Sequence, residues 1–154
     1  MSGEPGSAVV VRPGEGEILQ LGLSRPVVKV SAAIGSMRLG VIDSLLPPGG
    51  GFMFPHWHED FEEVFYVLDG EIEYLGGANW ITAGPGSTIF VPPKVIHAFR
   101  NTSGTVARHL AIGAPAQMVD LVRDLGTVSP SQFEAVHERH RSHFARESPH
   151  YPRP

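Results

Sequence analysis

Cysteine is absent from the 154 residues. That excludes disulfides and thiolate ligands, so a bound metal would have to be held by His and carboxylate. The absence also fits a reducing cytoplasm. Basic charge is scarce: Lys+Arg 12 against Asp+Glu 16 gives a net charge of −4 with no basic block. Nucleic acid and anionic membrane surfaces are therefore not expected as partners. No apolar run approaches the roughly 18 residues of a membrane span. The opening MSGEPGSAVV lacks the basic and apolar regions of a signal peptide. There is no internal repeat, no low-complexity tract and no basic helix-turn-helix segment. The expectation is a soluble cytoplasmic protein, one domain by length, globular at 42% hydrophobic residues.

Glycine and proline, by contrast, are plentiful at 18 and 14. PPGGG at 47–51, DG at 69–70, GG at 76–77, AGPG at 83–86, PP at 92–93 and SGT at 103–105 separate short β-branched and aromatic runs. Those runs are VVKVSAAI, MRLGVIDSLL, EVFYVL, EIEYL, STIFV, IHAFRN and VARHLAI. Many short strands at this spacing predict an all-β antiparallel sandwich or barrel. Asp69-Gly70 between EVFYVL and EIEYL predicts a two-residue hairpin. The last forty residues read differently. QMVDLVRDL before Gly126 predicts a short helix with a glycine C-cap. Ser129-Pro130-Ser131-Gln132 offers an N-cap, a proline at N1 and a capping-box glutamine for a second helix. Phe133, Val136, His140 and Phe144 form its apolar stripe. The expected layout is an N-terminal arm at 1–25, a β-barrel at 26–115, C-terminal helices at 116–147 and a flexible tail at 148–154.

HWHEDFEEVF, at residues 56–65, gathers four potential metal ligands. Alternate residues of a strand share a face, which groups Phe52, Phe54, His56 and His58. Past a bend at Glu59-Asp60, Glu63, Phe65 and Val67 share the next inward face, continued across the hairpin by Ile72 and Tyr74. Glu62 falls on the opposite parity. A carboxylate among phenylalanines is costly unless paired, and a divalent cation held by both histidines would pair it. His97, in IFVPPKVIHAFRN, adds an imidazole on a face shared with Val95, Phe99 and Asn101. One such histidine alone is ordinarily a hydrogen-bonded core residue. Four together at matching parity point to a site.

The spacing Gly50, His56, His58, Glu63 and Gly70 resembles the first motif of the cupin superfamily, and Gly86, Pro92, His97 and Asn101 resemble the second. Lys94 stands where the second motif has glycine. The resemblance covers about residues 30–115 and implies an antiparallel jelly-roll barrel. It also implies one divalent transition metal (Fe, Mn, Ni or Zn) on His56, His58, Glu63 and His97, with open coordination positions. Phe52, Phe54, Phe65, Ile72, Tyr74, Val95 and Phe99 are expected to line or neighbour a pocket for a small aromatic or apolar substrate. With no Arg or Lys evident on the inward parity, a sugar phosphate is disfavoured. Tyr74 and Glu63 are the candidate catalytic groups. His109, near the barrel's end, is either a fourth imidazole or, the preferred reading, a surface residue. His137, His140 and His143 are expected on a solvated helical face.

Three functions fit. The first is an O2-dependent dioxygenase resembling quercetin dioxygenases, favoured because few proton-transfer groups are evident. The others are a redox-neutral polyketide cyclase or isomerase, and a non-catalytic binding or sensor module. Val64, Tyr66 and Leu68 form an outward apolar row to be covered by a second subunit, the N-terminal segment or the C-terminal helices; a homodimer is the expected cover.

Overall fold

A computed structural model describes residues 7–153. The chain forms β1 (Glu17–Ile18), β2 (Arg25–Val30), β3 (Gly40–Leu46), β4 (Gly51–His58), β5 (Glu62–Asp69), β6 (Ile72–Gly76), β7 (Asn79–Ala83), β8 (Thr88–Val91), β9 (His97–Arg100) and β10 (Ala107–Ala114). Two helices follow, α1 (Met118–Leu125) and α2 (Phe133–Arg139), and then β11 (Ser142–Phe144). The strands make two antiparallel sheets, ordered β1-β2-β3-β10-β5-β8 and β11-β4-β9-β6-β7. This is the expected all-β jelly roll with a helical appendage. No helix among the described residues is long and apolar enough to cross a membrane.

Alternation places the inner faces. On β5, Glu63, Phe65 and Val67 are buried while Glu62, Tyr66 and Leu68 are exposed. Asp69-Gly70 is not a hairpin within one sheet, however. β5 pairs with β10 and β8, whereas β6 pairs with β9 and β7. Gly70 carries the chain from one sheet to the other at φ 69°, and a Cβ there would meet the Ala107 backbone at 2.8 Å. Only glycine satisfies both demands. The tight hairpin is the next one, where Gly76 pairs with Asn79.

Two helical features at the C-terminus match the sequence pattern and several do not. α1 occupies the expected span and the Ser129–Gln132 capping box is present. Gly126 ends α1 in a right-handed conformation, not the left-handed one expected of a glycine cap. α2 stops at Arg139, because Arg141 adopts φ 55° and turns the chain into β11 beside β4. His143 and Phe144 are therefore on a strand, and His137 is buried rather than solvated. At 148–153, where a loose tail was expected, Ser148 is buried and Tyr151 packs its ring 6.0 Å from those of Phe54 and Phe144. Residues 1–6 and 154 lie outside the described part of the arm and tail.

α1 closes one end of the barrel. Met118, Leu121 and Leu125 are buried beneath it. Gly113 permits the approach: a Cβ there would lie 2.7 Å from the Met118 side chain. On the opposite side of the six-stranded sheet, the row at Val64, Tyr66 and Leu68 stays uncovered by the described arm and helices. Tyr66 is 40% exposed, and Phe90, paired with Val64 across the ladder, is 59% exposed.

Candidate metal centre

β4 delivers His56 and His58, β5 delivers Glu63 and β9 delivers His97, with His56 paired to His97 across the ladder. All four side chains are buried. The candidate ligand atoms of the three histidines lie within 4.8 Å of one another, and the rings of His56 and His97 are 4.2 Å apart. The carboxylate Oε2 of Glu63 is 2.8 Å from His97 Nε2 and 3.3 Å from His58 Nε2. Glu62 points out to solvent.

The outer nitrogens determine what the inner ones can do. His56 Nδ1 lies 2.8 Å from the carbonyl oxygen of Phe54, and His97 Nδ1 lies 2.9 Å from that of Val95. A carbonyl only accepts, so both Nδ1 atoms carry the hydrogen and both Nε2 atoms are left as bare lone pairs. His58 Nδ1 is 2.6 Å from Ser142 Oγ, whose own proton reaches the His140 carbonyl at 3.4 Å. His58 is thereby held in the same tautomer, and its Nε2 is buried without a hydrogen-bond partner. Three lone pairs and a carboxylate oxygen thus face one enclosed space. A proton on His97 would relieve one contact only. A divalent cation relieves all of them, so the donor set fits a transition metal.

Electrostatics agree. Burial alone would push the Glu63 carboxyl up; positive charge at the His58 and His97 Nε2 positions, whether a proton or a cation in its place, outweighs burial and holds it well below the usual range. Burial, then the neighbouring His97, His58 and His137 rings, holds His56 well below its ordinary value. At neutral pH the site presents an anionic carboxylate and a neutral imidazole, the forms that bind metal.

Lys94 explains why the departure from the cupin pattern is tolerated. It adopts φ 67°, the left-handed turn that glycine would take, and its N–H donates to the His58 carbonyl at 2.8 Å. The turn survives at a strain of ~1–2 kcal/mol. Asn101 braces the neighbouring loop by donating to the Leu46 and Thr105 carbonyls.

The ligands open onto a cavity of about 70 Å³. Of the residues expected on its wall, Phe52, Phe65 and Phe99 are there; Phe54, Ile72, Tyr74 and Val95 are not. A bulge explains Phe54. Between Phe52 and His56 the register of β4 against β9 slips, so Phe54 turns away and stacks on Phe144 at 5.4 Å. Ile72 and Tyr74 are buried in the core behind the wall, and Val95 contributes its carbonyl to His97.

Three functional neighbours escape sequence reasoning: His109, His137 and Ser142. His109 is inward because β10 turns its small residues, Ala107, Ala111 and Gly113, to the interior and Arg108 to solvent. The small–large alternation in ARHLAIGA was the available signal. His137 comes to the wall from α2, with Nδ1 donating to the Phe133 carbonyl at 3.0 Å and its ring stacked 5.2 Å from Phe52. Nothing in the local pattern marks Ser142.

Residues 43–113 match the family model described as Cupin domain. Over 93 residues the chain is 31% identical to quercetin 2,3-dioxygenase of Bacillus subtilis, covering 59% of this chain and 27% of that protein. It is 34% identical over 88 residues to glucose-6-phosphate isomerase of Thermococcus gammatolerans, covering 53% of this chain and 44% of that one. The chain thus spans less than half the length of either relative. Its fold is similar to the polyketide cyclase RemF from Streptomyces resistomycificus, with a TM-score of 0.62 at 23% identity over 70% of this chain and 80% of that one.

Proposed function

This chain is a small protein of the cupin superfamily, and on that premise we propose that it is a metal-dependent enzyme acting on a small aromatic or apolar substrate. The observation that carries the reading is the convergence of three Nε2 lone pairs and the Glu63 carboxylate on one buried cavity. His56, His58, Glu63 and His97 would hold the ion, which when bound supplies a Lewis-acid centre with open coordination positions. Phe52, Phe65 and Phe99 shape a dry wall for a flat ring and exclude water. Among the described residues no Lys or Arg lines the cavity, so a phosphorylated substrate like that of the Thermococcus relative is not proposed.

The wall also bears on the reaction class. Scarcity of proton-transfer groups in the sequence favours O2 chemistry, but two further imidazoles border the cavity. Burial holds the pKa of His137 at about 4, so at neutral pH its Nε2 is an unprotonated acceptor. A positioned imidazole supports proton transfer within a substrate. The redox-neutral reading, a cyclase or isomerase, is therefore the better supported. The dioxygenase reading rests on likeness to the Bacillus subtilis protein. Reconstitution with Zn(II) or Fe(II) and a panel of flavonol-like and polyketide-like phenols separates them. Turnover with zinc under anaerobic conditions is expected. Oxygen uptake confined to the iron form would establish the dioxygenase instead, and no turnover with either metal would favour a binding module.

The proposal includes a homodimer. The uncovered row of Val64, Tyr66 and Phe90 continues across β10 onto Ile112 and, on β3, Val41. A second copy of the same face would remove this surface from water. Light scattering at micromolar concentration should give twice the chain mass, and Tyr66→Glu should give the monomer. A monomeric wild-type protein would remove the dimer from the account.

A further inference from the structure

His109 is enclosed at 1% exposure between Phe65, 5.3 Å away and nearly parallel at 23°, and Phe99 at 5.0 Å. Its Nδ1 is 2.7 Å from the Tyr74 hydroxyl, and its Nε2, across the ring, has no hydrogen-bond partner. His109 borders the cavity whereas Tyr74 does not. The pair has two protons to place. If Nδ1–H donated to the phenol oxygen, the phenol proton would be stranded in closed core, where no described acceptor lies within reach. If the phenol donates to Nδ1, the imidazole proton sits on Nε2, on the residue that meets the cavity. Either arrangement leaves one buried donor unpaired, the phenol O–H or Nε2–H. A phenol is the better donor and an imidazole nitrogen the better acceptor, which favours the second arrangement and leaves Nε2–H as the donor in want of an acceptor. Burial pushes the Tyr74 phenol up, keeping it protonated, and brings His109 down to about 4, keeping the ring neutral.

We infer that His109 binds the substrate directly, its Nε2–H donating a hydrogen bond to a carbonyl or phenolic oxygen, with Tyr74 as the positioning residue that fixes the tautomer. This rests on the metal-dependent reading of the same cavity and narrows its substrate class. On the β5–β10 ladder Glu63 pairs with Gly113, Phe65 with Ala111 and Val67 with His109. The donor is thus set beyond the Phe65 layer from the metal ligands. The substrate that fits is a small aromatic molecule with one oxygen for the ion and a second, acceptor oxygen at the far end. A purely hydrocarbon tail would leave Nε2–H unpaired and be rejected.

The test uses the zinc-loaded full chain and two probes of similar size, 4-hydroxyacetophenone and 4-ethylphenol, which differ in the carbonyl. Long-range ¹H–¹⁵N spectra should show His109 protonated at Nε2 and bare at Nδ1, with the Nε2 resonance moving when the carbonyl probe binds. The wild-type protein should prefer that probe by about tenfold. His109→Gln, which keeps an N–H donor, should retain the preference, and His109→Leu should lose it. Tyr74→Phe should release the tautomer, with Nδ1–H appearing in the spectrum. A His109 ring protonated at Nδ1 overturns the inference. So does a wild-type protein without preference for the carbonyl, or a preference equal in His109→Leu. Zinc content keeps the two readings apart: His109→Leu should bind zinc fully, while a wild-type chain that takes up no zinc defeats the metal reading and leaves the tautomer to be read on its own.

Discussion

His97→Ala should lose the bound metal, whereas Glu62→Ala should keep it. The two residues look equally eligible in composition but differ in direction: His97 Nε2 faces the Glu63 carboxylate at 2.8 Å, and Glu62 is turned to solvent. Removing a residue that only orients a ligand lowers metal affinity roughly 10- to 100-fold, and removing a ligand itself should exceed that. The alanine also strands Glu63. With the cation gone, a buried carboxylate without its counter-charge destabilises by about 3–5 kcal/mol unless it protonates, so a lower thermal midpoint should accompany the loss. Metal content after dialysis reads the first effect and thermal unfolding the second. Equal loss of metal in Glu62→Ala and Glu63→Ala would mean that the register of β5 is wrong.

The metal-free protein should lose stability steeply as pH falls from about 6.5 to about 4. His109 and His137 are each held at about 4 in the fold, chiefly by burial, against an ordinary 6.5. Over that interval the unfolded chain binds protons that the folded chain refuses. Stability therefore rises with pH across the window and is lost as pH drops through it. Each group contributes about 3 kcal/mol by pH 4, a large share of the stability of a domain this size. Burial of His56 acts in the same direction. Urea unfolding at pH 7 and pH 4.5 reads the difference, and His109→Gln should flatten the pH dependence by about one proton. A variant as acid-sensitive as the wild type would mean that His109 is not buried neutral.

Much of the centre is legible in the sequence because the side-chain period of a strand is two. Counting in twos from Glu63 through Phe65 to Val67 gives the inward face of β5 directly. The same counting fails at Phe54, since a bulge gives β4 residues between Phe52 and His56 that β9 does not match. It fails again in how β5 connects to β6. Asp69-Gly70 has the composition of a hairpin turn, yet pairing depends on which strands the sheets bring alongside. His109 is misplaced for a different reason. Bulk normally marks the inward face, but a barrel that encloses a cavity turns alanine and glycine inward and leaves Leu110 and Ile112 on the outer face. His137 and Ser142 reach the site through the path of α2 and β11, a long-range contact that local pattern does not encode. Ser142 lies 84 residues from the His58 that it orients.

The central claim is that this cavity binds a metal, and elemental analysis of untagged protein, purified at neutral pH and offered Fe(II), Mn(II), Ni(II) and Zn(II) in turn, tests it most directly. The account predicts one divalent ion per chain for at least one of the four, lost when Glu63 or any of the three histidines becomes alanine. A wild-type chain that remains metal-free with all four would contradict it.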